Sequence, residues 1–178
     1  MDIFEQREVL RSFEILVDTR EQDTNRARER YERMGVPVCR AKLNYGDYTY
    51  NATLPDGKSI FDTNSSINPL LSIERKMNLD ELAMCLGKDR KRFQKEFERA
   101  KEAGGKMLLL VEDASWENLI NGRYRSRLNA NAYLGSLTAW AVRYDLQVVF
   151  CKSETSGKLI KEFLYRDLKE RLERGDFG

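Results

Sequence analysis

The amino-acid sequence predicts one α/β domain in which helices flank a central mixed β-sheet. Three observations indicate this fold class. The chain has 178 residues, which is enough for one domain and too few for two. Short apolar segments of strand length alternate with amphipathic segments of helical period. All three prolines lie between such segments, where turns are expected.

Strand-like segments dominate the first half of the chain. The apolar, β-branched run 13–18 predicts a buried strand that ends at Asp18. Asp23 or Thr24 can cap a charged helix that stops at Gly35. Three more strands are predicted, at about 36–43, 47–51 and 70–76. The middle one is expected to belong to a hairpin, because turn residues lie on both sides of it.

Helices and strands alternate in the second half of the chain. A helix is predicted to begin at Asn78, to bend or break at Gly87 and to end at Gly104. Apolar runs at 107–111 and 146–151 predict two buried strands. The remaining helices are expected at about 116–120, 129–144 and 159–172.

The composition restricts the chemistry that the chain can perform. It contains no histidine, which excludes a histidine general base and any zinc site with a histidine ligand. Its three cysteines are far apart and form no CxxC pair, so neither a zinc ribbon nor a disulfide framework is indicated. Lys and Arg number 31 against 29 Asp and Glu, so attraction to a polyanion must depend on local patches.

The location of the protein is predicted from the absence of targeting signals. The N-terminus is acidic, and no apolar run approaches the ~20 residues that a membrane span needs. We therefore expect a cytoplasmic protein that does not interact with membranes. A nucleoid-associated or phage-encoded protein in a bacterial host would fit the same pattern.

The residues that predict catalysis lie at the ends of strands. Glu74 and Lys76 are two apart on a predicted strand, so both point to one face, roughly 7 Å apart. If Asp47 faces the same way, two carboxylates can hold a hard divalent cation such as Mg²⁺ or Mn²⁺. Lys76 would then stabilise charge on a phosphate, or position and deprotonate an attacking water. This arrangement suits phosphodiester hydrolysis.

Each of these residues also has an ordinary structural explanation. An Asp after a turn glycine and a Glu-Arg-Lys triplet are common by chance in a chain that is 34% charged. Asp80, near the start of the predicted helix, would interact favourably with the helix dipole. The functional interpretation is favoured because the strand carrying Glu74 is expected to be buried, where charges are costly unless a partner or an ion compensates them.

Four ordered motifs resemble those of the XPF-type structure-specific endonucleases, a branch of the PD-(D/E)XK nuclease superfamily. The pattern of that family is GD, a gap, and then ERKxxxD. It is present here as Gly46-Asp47, Glu74-Arg75-Lys76 and Asp80. The segments 17–21 and 43–48 resemble the family's first-strand motif and the residues preceding its GD. The likeness spans about residues 13–165, the expected core, and implies a restriction-endonuclease-like fold.

The resemblance also implies a role for each motif residue. Asp47 and Glu74 would bind the metal together with the backbone carbonyl of Arg75, and Lys76 would act on the water or the phosphate. These four residues would form the centre of the site.

Further residues would surround that centre. Asp18 would bind the metal directly or through water, and Glu21 would support the edge of the site. Asp80 would hold Lys76 or Arg20. Ordinary alternatives are a strand-end acid for Asp18 and a surface ion pair for Arg20 and Glu21.

Local basic patches are expected to hold the nucleic acid. Cellular members of the family carry a tandem helix-hairpin-helix module after the nuclease, and residues 1–178 leave no room for one, so we expect a single nuclease domain. One patch is the basic helix around 88–101, about half of which is expected to be a solvated face. The other is an acid-free loop in which Tyr124 could stack on an unpaired base or simply pack. The arginines expected to contact DNA are Arg20, Arg92, Arg123, Arg125 and Arg127.

Residues and resemblance together predict a metal-dependent DNA endonuclease that acts on branched, flap or fork DNA in repair, recombination or replication. The alternative is a catalytically inactive, nuclease-like DNA-binding scaffold subunit; the presence of Asp47, Glu74 and Lys76 argues against it. An RNA or single-strand nuclease would use the same chemistry. A homodimer through the apolar stripe of 159–172 stays open, although the same stripe would also serve to cover the sheet.

Overall fold

The computed structural model describes residues 1–177, which form seven helices and six strands. Their order along the chain is α1 (Ile3–Arg11), β1 (Glu14–Asp18), α2 (Asn25–Met34), β2 (Val38–Ala41), β3 (Tyr48–Asn51), β4 (Leu71–Lys76), α3 (Leu79–Leu86), α4 (Arg90–Glu102), β5 (Lys106–Glu112), α5 (Trp116–Ile120), α6 (Ala130–Tyr144), β6 (Gln147–Cys151) and α7 (Ser153–Arg174). Every predicted strand and helix is present. Helix α1 was not predicted.

All six strands belong to one mixed sheet with the order β2-β1-β3-β4-β5-β6. Strand β1 is parallel to β2 and antiparallel to β3, β3 is antiparallel to β4, and β4, β5 and β6 run parallel. The predicted fold class, a mixed sheet flanked by helices, is thus confirmed. The predicted hairpin is reduced to a single antiparallel bridge between Thr53 and Ser59, because β3 pairs on both sides with the sheet instead.

Helices cover both faces of the sheet and pack into two large apolar cores, beside a third, small cluster around Leu16 and Ile67. Strand β5 shows how the two are separated: Leu109 and Val111 pack with α3, α4 and α6, whereas Leu108 and Leu110 pack with α1, α2 and α7. Successive side chains of a strand point to opposite faces, so a strand that is buried on both faces is apolar at every position. This explains the uninterrupted apolar run of β5.

The apolar stripe of α7 covers the sheet. Ile160, Leu164, Leu168 and Leu172 are all buried in the core shared with α1 and β1. The stripe therefore packs against the sheet of its own chain, which is the second of the two explanations given for it above. No helix within residues 1–177 combines the length and the apolar character that a membrane crossing requires.

Local signals explain where the helices begin. Asp2 accepts hydrogen bonds from the N–H groups of Phe4 and Glu5, and the Glu5 carboxylate accepts one from the Asp2 N–H, which is a complete capping box at α1. Asn78 caps α3 through the Glu81 N–H, at 2.9 Å. The chain then breaks at Gly87, as predicted, before α4 begins.

The close packing of α7 on α2 predicts opposite effects of alanine at two helical glycines. A Cβ on Gly157 would lie 2.4 Å from the backbone oxygen of Arg30, whereas a Cβ on Gly135 in α6 would meet no atom within 4 Å. We expect Gly157→Ala to lower the free energy of unfolding by about 1–3 kcal/mol through overpacking. We expect Gly135→Ala to raise it by about 0.5–1 kcal/mol, because alanine favours helix. Urea unfolding of both variants tests this, and equal effects would contradict it.

Candidate active site

Asp47 lies inside the sheet, between β1 and β4. Its carbonyl accepts a hydrogen bond from the Asp18 N–H at 2.8 Å, and its own N–H donates to the Ile73 carbonyl at 2.9 Å. The preceding Gly46 has φ +74°, and a Cβ there would lie 2.6 Å from the Ser72 Cβ. Only glycine suits this backbone conformation and this contact. The Gly-Asp motif is therefore required by the way the chain enters β3.

The structure brings Asp47 close to Glu74 and Lys76, which share one face of β4 as the strand period predicted. Tyr48 pairs with Ile73 in the antiparallel register, and the next position along places Asp47 opposite Glu74. The Lys76 Nζ donates a hydrogen bond to the Glu74 Oε1 at 2.6 Å. Both side chains are buried, and the ammonium also lies 5.0 Å from the centre of the Phe93 ring.

Burial and like charge oppose the ionisation of the two carboxylates in this group. Burial and the neighbouring Glu74 carboxylate raise the pKa of Asp47 well above its usual value. Burial also raises the pKa of Glu74, although Lys76 opposes the change. Burial disfavours the ammonium of Lys76, but the Glu74 and Asp47 carboxylates outweigh that effect and raise its pKa. Lys76 therefore carries a positive charge, and the two carboxylates need further compensation to be ionised together.

The two carboxylates have free oxygens that suit a hard cation. Asp47 Oδ2 accepts the Arg75 N–H at 2.7 Å and Glu74 Oε1 accepts Lys76, but Asp47 Oδ1 and Glu74 Oε2 accept no hydrogen bond from any residue in 1–177. No group of three or more Asp, Glu, Cys or His in that range is arranged to hold a metal. An ion held by two carboxylates would complete its shell with backbone carbonyl and water, as Mg²⁺ commonly does.

Asp18, predicted to bind a metal directly or through water, is hydrogen-bonded through both of its oxygens. Its Oδ1 accepts hydrogen bonds from the N–H and Nε of Arg20, and its Oδ2 accepts them from the Arg20 Nη2 and the Leu43 N–H. Both oxygens are thus occupied, so a metal could bind Asp18 directly only if Arg20 were displaced. In this structure Asp18 is the anchor of Arg20.

Glu96 is a carboxylate at the site that the sequence did not indicate. It lines the same small cavity, of about 180 Å³, as Glu74 and Lys76, and its charge contributes to the raised pKa of Glu74. Its Oε2 is buried without a hydrogen-bond partner in the described chain, and its Oε1 pairs with Arg99 at 2.6 Å. In the sequence, Glu96 is one of the acidic residues that partly balance the positive charge of the helix around 88–101, and nothing else distinguished it.

A larger cleft of about 600 Å³ lies beside this cavity. Its lining includes five arginines: Arg20, Arg26, Arg30, Arg75 and Arg92. Glu21, the predicted supporting residue, also lines it, and its carboxylate accepts a long hydrogen bond of 3.4 Å from the Tyr48 hydroxyl. Arg20 and Arg92 line both cavities. Arg92 is 79% exposed and pairs loosely with Asp89, at 3.5 Å, so its guanidinium is accessible to an anion.

Glu112, at the end of β5, is a second residue that the sequence did not indicate. Its fully buried carboxylate accepts hydrogen bonds from Arg30 at 3.1 Å, Arg26 at 3.0 Å and Arg75 at 3.1 Å. This network holds the Arg75 side chain on the sheet face opposite to Glu74 and Lys76, as the strand period predicted. The signal in the sequence that could have indicated Glu112 is its position directly after the apolar run of a predicted strand.

Asp80 does not hold Lys76 or Arg20, which corrects the role that the resemblance implied. Its Oδ1 accepts hydrogen bonds from the backbone N–H groups of Arg125 and Ser126, both at 2.7 Å, and its Oδ2 lies 3.2 Å from the Arg125 Nε. Burial slightly opposes ionisation, but these bonds outweigh it and lower the pKa of Asp80. Asp80 thus contacts the segment 121–129 between α5 and α6, called the arginine loop below.

The arginine loop exposes its three charged side chains, Arg123, Arg125 and Arg127. Tyr124 packs instead of projecting. Its hydroxyl donates to the Leu128 carbonyl at 2.7 Å, and its ring meets the Tyr133 ring edge-on, with centroids 5.3 Å apart. Of the two alternatives for Tyr124, the structure supports packing. The segment is a loop, as predicted.

Fold and site together define a nuclease-like α/β domain. The group of Asp47, Glu74 and Lys76, called the acidic pocket below, lies beside the arginine-lined cleft. The chain belongs to the ERCC4 domain family, whose match covers residues 17–163. The predicted XPF-type resemblance is thereby confirmed.

Solved structures of one archaeal protein share the fold. XPF from Aeropyrum pernix is 20% identical, with a TM-score of 0.59 over 86% of this chain and 61% of that chain. The same protein in complex with DNA is 20% identical, with a TM-score of 0.60 over 89% of this chain and 66% of that chain. This chain therefore spans less than two thirds of either. A search of the curated proteins gave no significant match.

The network around Glu112 predicts a large loss of stability when its charge is removed. Glu112→Gln leaves three arginines near one buried position without their counter-charge, and we expect unfolding to become about 3–5 kcal/mol easier. Asp113→Asn is the matched control. Asp113 is half exposed, pairs only with Arg26 among the arginines, and has a positive φ that asparagine tolerates. We expect less than about 1 kcal/mol from the control. Thermal unfolding with equal losses would contradict the assignment.

Proposed function

We propose that the chain is a divalent-metal-dependent DNA endonuclease that hydrolyses phosphodiester bonds. The observation that carries this proposal is the group formed by half-buried Asp47 and buried Glu74 and Lys76 beside the arginine-lined cleft. Membership of the ERCC4 domain family supports the reaction class. The existence of a DNA complex of a protein with the same fold supports DNA as the ligand.

The proposed mechanism assigns a task to each residue of the group. The free oxygens of Asp47 and Glu74 would hold Mg²⁺ or Mn²⁺, with the Arg75 carbonyl as a further ligand. When bound, such an ion supplies Lewis-acid polarisation of the phosphate and acidifies a bound water. Lys76, whose ammonium is hydrogen-bonded to Glu74, would stabilise negative charge on the phosphate or position the attacking water.

The preferred substrate is proposed to be branched, flap or fork DNA, in repair, recombination or replication. Two separate basic surfaces support this choice: the cleft, with accessible Arg92, and the arginine loop. Met77 and Glu81 line both the cleft and a neighbouring cavity that includes Arg125, so the two surfaces meet beside the acidic pocket. Such an arrangement suits a substrate with more than one arm.

One observation favours the second candidate, an inactive DNA-binding scaffold subunit. Arg20 and the Leu43 N–H occupy both oxygens of Asp18, so this carboxylate has no free oxygen for a cation in the described chain. A subunit of that kind would bind DNA in the same cleft without cutting it. Cleavage assays separate the two candidates.

The first test is cleavage of labelled duplex, single-strand, flap, fork and four-way junction DNA, with Mg²⁺, with Mn²⁺ and with a chelator. We expect metal-dependent cutting of branched substrates. Asp47→Asn or Glu74→Gln should lower the cleavage rate by at least ~10³-fold because a metal ligand is lost, with DNA affinity changed less than about threefold.

Glu98→Gln is the control for that test, because it removes an acid of α4 that lines neither the Glu74–Lys76 cavity nor the cleft. It should cut at nearly the normal rate. Normal cutting by Glu74→Gln would overturn the assignment of the site. Tight binding without cutting under any metal would assign the chain to the scaffold class.

The arginine loop predicts the salt dependence of binding. Replacing Arg123, Arg125 and Arg127 together by alanine should weaken binding and make the slope of log K against log salt shallower by about two to three, since each phosphate contact contributes about 0.9. The matched control removes three exposed basic residues of α7: Lys158, Arg166 and Arg174. Fluorescence anisotropy at several salt concentrations measures both. Equal slopes for the two triple variants would exclude the loop as a contact.

A further inference from the structure

The arginine loop is held by a single carboxylate at the start of α3. The Asp80 Oδ1 accepts two successive backbone N–H groups, those of Arg125 and Ser126, and its Oδ2 faces the Arg125 Nε. These bonds fix the backbone of the loop and not only one side chain. The Arg125 side chain itself is 89% exposed, so its guanidinium stays accessible.

A second contact connects the loop to the same turn of α3. Tyr124 packs on Tyr133, and the Tyr133 hydroxyl donates to the Leu79 carbonyl at 2.8 Å. Leu79 and Asp80 are the first two residues of the helix that follows the strand carrying Lys76. The loop is therefore fastened to the helix that directly follows the strand carrying Glu74 and Lys76.

Helix capping does not account for Asp80. An acid in the first turn that served its own helix would face the N–H groups there, as Asn78 does when it accepts the Glu81 N–H. The Asp80 Oδ1 instead accepts hydrogen bonds from N–H groups that lie 45 and 46 residues further along the chain. Its contacts are with the loop, whereas Lys76 is paired with Glu74.

We propose that Asp80 is a positioning residue, which orders the arginine loop beside the acidic pocket and so sets the affinity for the DNA backbone. This inference rests on the proposed function, since it needs DNA to be the ligand. Flexible loops lose conformational entropy when they bind, and a loop that is already ordered loses less. Asp80 cancels one positive charge near the loop, yet its net effect is to favour binding.

Two substitutions of equal charge separate ordering from charge. Asp80→Asn and Asp80→Ala both remove one negative charge, but the asparagine Oδ1 can still accept the two N–H groups of the loop. We expect Asp80→Asn to bind branched DNA at least as tightly as the unmodified chain. We expect Asp80→Ala to bind about five- to twentyfold more weakly than Asp80→Asn. At saturating DNA, kcat should be unchanged within about twofold in both variants.

Hydrogen exchange measures the ordering without DNA. The backbone amides of Arg125 and Ser126 should exchange at least ~10-fold faster in Asp80→Ala and at nearly the original rate in Asp80→Asn. Glu81→Gln is the control for losing an acid in the first turn of α3, and it should leave the loop protected. Circular dichroism confirms that each variant is folded.

Several results would overturn the inference while leaving the proposed function intact. Equal affinities of Asp80→Ala and Asp80→Asn would show that the acceptor does not matter. A large loss of kcat in both, with unchanged affinity, would place Asp80 at the reacting centre. Unchanged exchange in Asp80→Ala would show that the loop is held elsewhere. Failure of the unmodified chain to bind any DNA would instead overturn the proposed function, and the inference with it.

Discussion

The buried carboxylate of Glu112 determines how the strands and helices around the site are arranged. Two of its three arginine partners come from α2 and the third from β4, so one side chain on β5 connects three elements on one face of the sheet. A buried charge without partners would be very costly, and these arginines compensate it. Because Arg75 is held on this face, its neighbours Glu74 and Lys76 must point to the other one.

The acidic pocket contrasts with that network. Glu112 has three cationic partners, whereas Asp47 and Glu74 share one ammonium, and their pKa values are raised. Incomplete compensation of buried charge lowers stability, and it is typical of sites where a ligand completes the charge balance. Two buried ionic groups on adjacent strands thus behave in opposite ways: one stabilises the fold, and the other is suited to bind something else.

Local patterns predicted most of the fold and the centre of the site. The period of two along β4 placed Glu74 and Lys76 on one face, and the family resemblance added Asp47 to them. Contacts between distant segments were not predictable, because periodicity says nothing about which loop meets which helix. Asp80 with Ser126, Asp18 with Leu43, and Glu112 with α2 are of this kind. Helix α1 was missed for a different reason. Its capping box is a local signal in the sequence, but the prediction relied on hydrophobic periodicity and did not use that signal.

The position of α7 has a consequence for biosynthesis. Its residues Ile160, Leu164 and Leu168 complete the core that also contains Ile15 of β1 and Val9 of α1. These early segments leave the ribosome long before α7 is made, and until then their apolar face lacks the part of its cover that α7 provides. Strand β1 therefore completes its core only when α7 is made, which makes folding cooperative across these elements and exposes nascent chains to chaperones or to aggregation.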